Sequence, residues 1–182
     1  FIGEIIEKSE VDGKGSYLFG FEESYGSLYG RHARDKDAVS AAALACTIGG
    51  FLKRSGRTMI DYLEEIQEEH GHYLEALVNK DYVGIEGRKK IESIMSKLRS
   101  RSPLKMGNET IREFKDYLED SGDLPAADVI SIEMQDNSKI VVRPSGTEPK
   151  MKFYLMARGD NEDEARNRIE ELRELIEGIE GL

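Results

Sequence analysis

Arg143-Pro-Ser-Gly-Thr-Glu-Pro149 places one permanent cation, two hydroxyls and a glycine between two prolines, directly after the apolar run Ile140, Val141, Val142. Phosphate binding uses that chemistry. A guanidinium takes two phosphate oxygens at once, hydroxyls add short donors, and a glycine lets backbone N–H groups approach as an anion-binding nest. Flanking strands would hold those donors ready rather than gather them on binding. Pro, Ser and Gly are also ordinary turn residues, so this segment taken alone fits a plain hairpin turn as well.

A second group, Gly20-Phe-Glu-Glu-Ser-Tyr-Gly26, stands where the apolar run 17–21 opens into a loop. Strand ends are where α/β folds place ligand-contacting groups. The carboxylates of Glu22 and Glu23 accept hydrogen bonds and Ser24 donates or accepts, the mixture that adjacent sugar hydroxyls need. A pair of solvated glutamates at a loop entrance would read the same way.

Other reactive residue types are set aside. His70 and His72 lack a nearby carboxylate or cysteine set with ligand spacing. Cys46 sits in an apolar helix and is expected to be a buried, inert thiol. The glutamates at 64, 65, 68 and 69 form a solvated helix face, and Arg88-Lys-Lys90 is a charged helix face. Gly13, Gly15 and Gly20 do not make a dinucleotide fingerprint, because Leu18 holds the required third position.

The elements that must position the two groups follow from periodicity. A short helix is expected over 1–8, a turn over 11–15 and a buried strand over 17–21. Asp35 or Asp37 caps a helix over 38–54 that is apolar almost all round, hence an interior helix. An amphipathic helix follows over 58–69, with Met59, Ile60, Leu63 and Ile66 inside. Composition changes near 79–87, taken as a linker. Beyond it come a basic helix over 86–100 with Ile91, Ile94, Met95 and Leu98 on one side, and strands near 111–118, 128–134, 139–143 and 150–157. Asp136-Asn-Ser138 forms a polar hairpin turn. The last helix, 162–178, puts Ala165, Ile169, Leu172, Ile176 and Ile179 on one face. Asn161 with Glu164 resembles a capping box, and Glu162–Arg166 and Glu164–Arg168 are favourable pairs one turn apart. The expected fold is an α/β partial domain over 1–80 followed by a small α+β domain over 81–182, built as helix, antiparallel sheet and helix.

With 182 residues the chain is long enough to bury a real core. Its net charge of −10 argues against a general nucleic-acid or anionic-membrane binder, so an anionic ligand must be caught by a local basic pocket. A single cysteine rules out an internal disulfide and suits a reducing cytoplasm. No apolar stretch approaches membrane-spanning length. The opening Phe1-Ile-Gly-Glu-Ile-Ile, without a methionine, is expected to be internal to a longer protein.

Together the two groups resemble the α-D-phosphohexomutase family, the phosphoglucomutases and phosphomannomutases. Gly20 to Gly26 looks like the family's sugar-specificity loop, in which a Glu-x-Ser pair contacts sugar hydroxyls. Arg143 to Pro149 looks like its C-terminal phosphate-binding loop. Arg34-Asp-Lys-Asp-Ala38 resembles the Lys-Asp-Gly segment that follows the sugar loop, with Ala38 in place of the glycine. Order and separation agree, and the resemblance spans essentially the whole chain.

The resemblance implies a four-domain enzyme of which this chain is the end of the third domain and the whole fourth. It implies that a phosphoserine and a magnesium ion, carried by Thr-x-Ser-His-Asn-Pro and Asp-x-Asp-x-Asp segments absent here, do the transfer through a hexose 1,6-bisphosphate. The fragment is then inactive alone, depends on the missing N-terminal domains, and acts on a sugar phosphate, glucose by resemblance. Glu22 and Ser24 would hold two sugar hydroxyls. Arg143, Ser145, Gly146 and Thr147 would clamp the non-reacting phosphate. Lys152, on the same strand side as Lys150 and Tyr154, would add a basic contact where the family commonly has arginine. Lys36 reads either as a group near the transferring phosphate or sugar, with a part in proton transfer, or as a surface lysine at a helix start. The alternative to the enzyme is a stand-alone, non-catalytic module that binds a phosphorylated ligand or a protein.

Overall fold

The computed structural model describes residues 2–13, 15–22, 25–101, 105–122 and 125–180. The chain divides into two compact units, Phe1–Glu65 and Ile66–Leu182. The seam lies upstream of the expected 80/81 division.

The first unit holds α1 (Ile2–Val11), the hairpin β1 (Phe19–Phe21) and β2 (Ser27–Tyr29), α2 (Ala38–Arg54) and the start of α3 (Met59–His70). The hairpin is antiparallel, with Phe19 opposite Tyr29 and Phe21 opposite Ser27. Its buried apolar residues are Ile6, Leu28 and Leu52. Three expectations fail here for one reason. The strand before the Glu-Glu-Ser loop is short and exposed, with Phe21 74% accessible. The apolar helix α2 is not interior: Leu52 is its only buried residue, Val39 is 78% accessible, and Cys46 is exposed rather than buried. Helix α3 buries none of Met59, Ile60, Leu63 or Ile66. A helix the length of α2 runs about 25 Å, whereas three-residue strands reach about 10 Å. The hairpin is too small to cover it.

The second unit contains β3 (His72–Asp81), α4 (Gly84–Arg101), β4 (Lys105–Met106), β5 (Glu109–Asp116), β6 (Ile130–Met134), β7 (Lys139–Pro144), β8 (Lys150–Gly159) and α5 (Glu162–Glu180). The strands form one antiparallel sheet in the order β3-β8-β7-β6-β5-β4. The expected helix–sheet–helix arrangement is the one observed. Ile91, Ile94, Met95 and Leu98 of α4 and Ile169, Leu172, Ile176 and Ile179 of α5 join Ile140, Val142, Met151, Phe153 and Leu155 in a single core. Full burial of a side chain such as Phe153 is worth roughly 2–3 kcal/mol. The helices cover one sheet face only, because β8 alternates strictly between half-exposed and buried positions from Lys150 to Ala157.

Two local expectations in this unit change. The supposed linker over 79–87 is the end of β3, a short turn and the first turn of α4; β3 pairs with β8 along its whole length. The pair Glu164–Arg168 does not form. Glu164 instead completes the cap of α5, accepting from Asn161 Nδ2 at 2.8 Å and from the Asp160 N–H at 2.9 Å, while Asn161 Oδ1 accepts from the Glu164 N–H at 2.9 Å. Arg168, only 11% exposed, ties α5 to Glu109 at 3.0 Å and Asp136 at 2.7 Å, and pairs with Glu171 of its own helix at 2.7 Å. Burial opposes its charge, but those carboxylates outweigh burial and raise its pKa.

Candidate functional site

The phosphate-type loop joins β7 to β8, and hydrogen bonds close it at its base. The Ser145 N–H donates to the Lys150 carbonyl at 2.8 Å and the Lys150 N–H to the Glu148 carbonyl at 2.8 Å. A further bond, from the Tyr82 N–H to the Pro149 carbonyl at 2.8 Å, fastens the loop to the turn between β3 and α4. That tie was not visible in sequence, since it depends on β3 lying beside β8. Between these anchors the N–H groups of Gly146 and Thr147 have no partner among the described residues. Gly146 does not adopt the positive φ of a left-handed nest, and a Cβ on it would meet nothing within 4 Å. The fold does not demand a glycine there. What the glycine leaves is open approach to the backbone.

Arg143 and Lys152 face each other directly across β7 and β8, and Asn79 of β3 flanks Lys152 on the other side. All three project from the sheet face that the helices leave bare, as the alternation of β8 dictates. Like charges directly opposite one another in a sheet are unfavourable. Neither cation forms an ion pair or hydrogen bond among the described residues. The neighbouring Lys150 differs: it pairs with Glu148 at 2.9 Å and Asp81 at 3.6 Å, and those carboxylates raise its pKa. One end of the sheet therefore holds two cations without a salt bridge, Lys152 feeling Glu148 only at longer range, beside two free N–H donors. Ser145, Thr147 and Glu148 also border a cleft of about 230 Å³ against Arg88 and Met95 of α4.

The sugar-type loop lies in the first unit. Its ends meet through the Glu22 N–H and the Gly26 carbonyl at 2.7 Å, and Tyr25 turns outward with φ 66°. Ser24 lies outside the described residues. The segment Arg34-Asp-Lys-Asp-Ala38 is brought against this loop. The Asp37 N–H donates to the Ser27 carbonyl at 2.9 Å, and the Lys36 ammonium stands 2.8 Å from Asp35 and 3.4 Å from Glu22. The Lys36 stem crosses Gly26 so closely that a Cβ there would lie 2.7 Å from its Cγ and Cδ. Asp35, and foremost its side-chain bond, then Glu22 raise the Lys36 pKa above its ordinary 10.5. Of the two possible caps, Asp37 is the one used: it accepts from the Val39 and Ser40 N–H groups and from His32 at 3.0 Å. The bond from His32, then those N–H groups, hold its pKa down at about 2.

Comparison with known proteins matches two stretches of the chain. Residues 1–70 match the phosphoglucomutase/phosphomannomutase alpha/beta/alpha domain III, and residues 101–175 match the phosphoglucomutase/phosphomannomutase C-terminal domain. The chain belongs to the phosphoglucomutase/phosphomannomutase family. Among relatives, a phosphoglucomutase of Staphylococcus haemolyticus is 38% identical over 163 residues, covering 84% of this chain and 30% of its own length. A phosphoglucomutase of Staphylococcus aureus is 35% identical over 180 residues, covering 93% of this chain and 32% of its own length. The chain thus spans about a third of the curated relatives it matches. The fold is similar to the open form of pp63/parafusin, an exocytosis-sensitive phosphoprotein and phosphoglucomutase from Paramecium. There the TM-score is 0.66 at 19% identity, over 97% of this chain and 32% of the other.

Proposed function

We propose that this chain is the sugar-orienting and phosphate-clamping part of a phosphohexomutase, nearest in kind to the phosphoglucomutases. The observation that carries the reading is the Arg143–Lys152 pair, set side by side without a salt bridge among the described residues, next to the free N–H groups of Gly146 and Thr147. Two like charges set side by side in a sheet repel one another. A dianion placed there takes up both charges and both donors. Arg143 grips two phosphate oxygens, Ser145 and Thr147 supply hydroxyls, and Lys152 adds a point charge. At the sugar end Glu22 and Ser24 hold hydroxyls, with Lys36 beside Glu22.

In this reading a serine-bound phosphoryl group passes to the free hydroxyl of a hexose monophosphate, giving a hexose 1,6-bisphosphate. After the sugar reverses its orientation, the other phosphoryl group returns to the serine and the isomeric monophosphate leaves. Glu22 and Ser24 suit the reversal, because hydroxyl-binding groups can read either end of the ring. The clamp holds whichever phosphate is not reacting and keeps the other in line for transfer. Magnesium supplies charge stabilisation at the transferring group when bound. The residues here do not fit it: among the described residues no group of three or more His, Cys, Asp or Glu could hold a metal ion. Metal and phosphoserine belong to N-terminal domains of the longer protein, and the chain alone does not turn over. A cytoplasmic setting fits its single cysteine, and among the described residues no helix is long and apolar enough to cross a membrane.

The test is kinetic. In the full-length protein, Arg143→Ala should lower kcat/KM for glucose 1-phosphate by about 10- to 100-fold, the loss of a charged, two-pronged contact. Unchanged steady-state constants would remove the clamp from the account.

A further inference from the structure

Lys36 is tied down at every point of its length. Its backbone stands between Asp35, whose Oδ1 accepts from the Lys36 N–H at 2.8 Å, and Asp37, whose N–H is bonded to Ser27. Its stem lies over Gly26, so close that a Cβ there would lie 2.7 Å from the Lys36 Cγ and Cδ and would displace it. Its ammonium sits between the carboxylates of Asp35 and Glu22. A surface lysine at a helix start has none of these constraints.

We propose that Lys36 is a positioning residue: it straps the loop closed across Gly26 and orients the Glu22 carboxylate toward the sugar. This rests on the reading that Glu22 holds sugar hydroxyls. Three observations favour it over a proton-transfer role. The ammonium is directed at two carboxylates rather than into open space. Those carboxylates raise its pKa, so that at neutral pH it neither gives up nor takes a proton readily. The ion pair with Glu22 is also half exposed, at 37% and 48%. Such a pair adds little to folding, so the contact serves orientation, and a hydroxyl can share Glu22 without a large penalty.

A double-mutant cycle in the full-length protein tests this, read as kcat and KM for glucose 1-phosphate. Lys36→Met keeps the stem and removes the charge. It should raise KM about three- to tenfold with kcat within about twofold, and Lys36→Arg should restore most of the loss. Glu22→Gln should raise KM by itself, and adding Lys36→Met to it should change nothing further, because one group acts through the other. A fall in kcat at constant KM for Lys36→Met, or independent losses that multiply in the double variant, would overturn the positioning role. If Glu22→Gln left KM unchanged, the sugar reading of Glu22 would fail separately, with no need of the lysine variants to show it.

Discussion

At the scale of single residues, the functional cations differ from the structural ones by their partners. Arg168 is surrounded by carboxylates and Lys150 is held by two, whereas neither Arg143 nor Lys152 forms a salt bridge among the described residues, Glu148 acting on Lys152 only at longer range. A residue kept for binding should cost stability and one kept for folding should add it. Lys152→Ala is therefore expected to leave thermal stability unchanged or raise it by a few tenths of a kcal/mol, since a like-charge neighbour is relieved. In the same variant, phosphate affinity by calorimetric titration should fall about three- to tenfold. A clear loss of stability without loss of affinity would make Lys152 a structural residue. The residue types of this site were legible in sequence; their pairing was not. That Arg143 stands opposite Lys152 follows from the register of β7 and β8. That Lys36 reaches Glu22 follows from the return of the chain after β2, which no local pattern encodes.

Elements were read well where one face is buried. Helix α5 and strands β6 to β8 lie within a few residues of expectation, because their apolar periodicity is matched by a sheet and helices in the same unit. Strand β3 was missed although Leu74, Ala76 and Val78 alternate. The interleaved Glu75, Asn79 and Asp81 face solvent on the bare side, and the polar residues from Asn79 onward read as a linker in sequence. The opposite error occurred at α2, where apolar residues all round imply burial that the hairpin does not supply. Its start is nonetheless firmly set by Asp37. That carboxylate is depressed from an ordinary 3.8 to about 2 by His32 and by the Ser40 and Val39 N–H groups. A group with a depressed pKa adds its full stabilisation above its unfolded value and loses it as pH falls toward its folded one. Amide exchange at the start of α2 should therefore be unaffected from pH 7 to pH 5, allowing for the intrinsic rate. It should speed up, relative to that rate, between about pH 4 and pH 2, and Asp37→Ala should show the fast rate throughout. A flat protection factor over that lower range would deny Asp37 its capping role.

On the scale of the molecule, the two units are unequal in what they bury. The second has a continuous core from α4 through the sheet to α5, and among its described residues the first buries only the apolar Ile6, Leu28 and Leu52. Stability should follow burial. Native-state hydrogen exchange is expected to give the highest protection in β6, β7, β8 and α5, opening only with global unfolding, and far lower protection in α2 and α3. Equal protection in both units would mean that apolar surface counted as exposed is in fact covered. The chain spans about a third of its phosphoglucomutase relatives. In the proposed enzyme the remainder of the third domain would lie against the uncovered apolar residues of α2 and α3.

A β7–β8 loop that binds the phosphate of a sugar phosphate should reveal itself in amide chemical shifts recorded while glucose 1-phosphate is titrated into this chain. The Gly146 and Thr147 amides should move first and saturate together, weakly, and Arg143→Ala should abolish the movement while the rest of the spectrum stays in place. Shifts confined to residues 70–72, or unchanged Gly146 and Thr147 amides at saturating sugar phosphate, would contradict it.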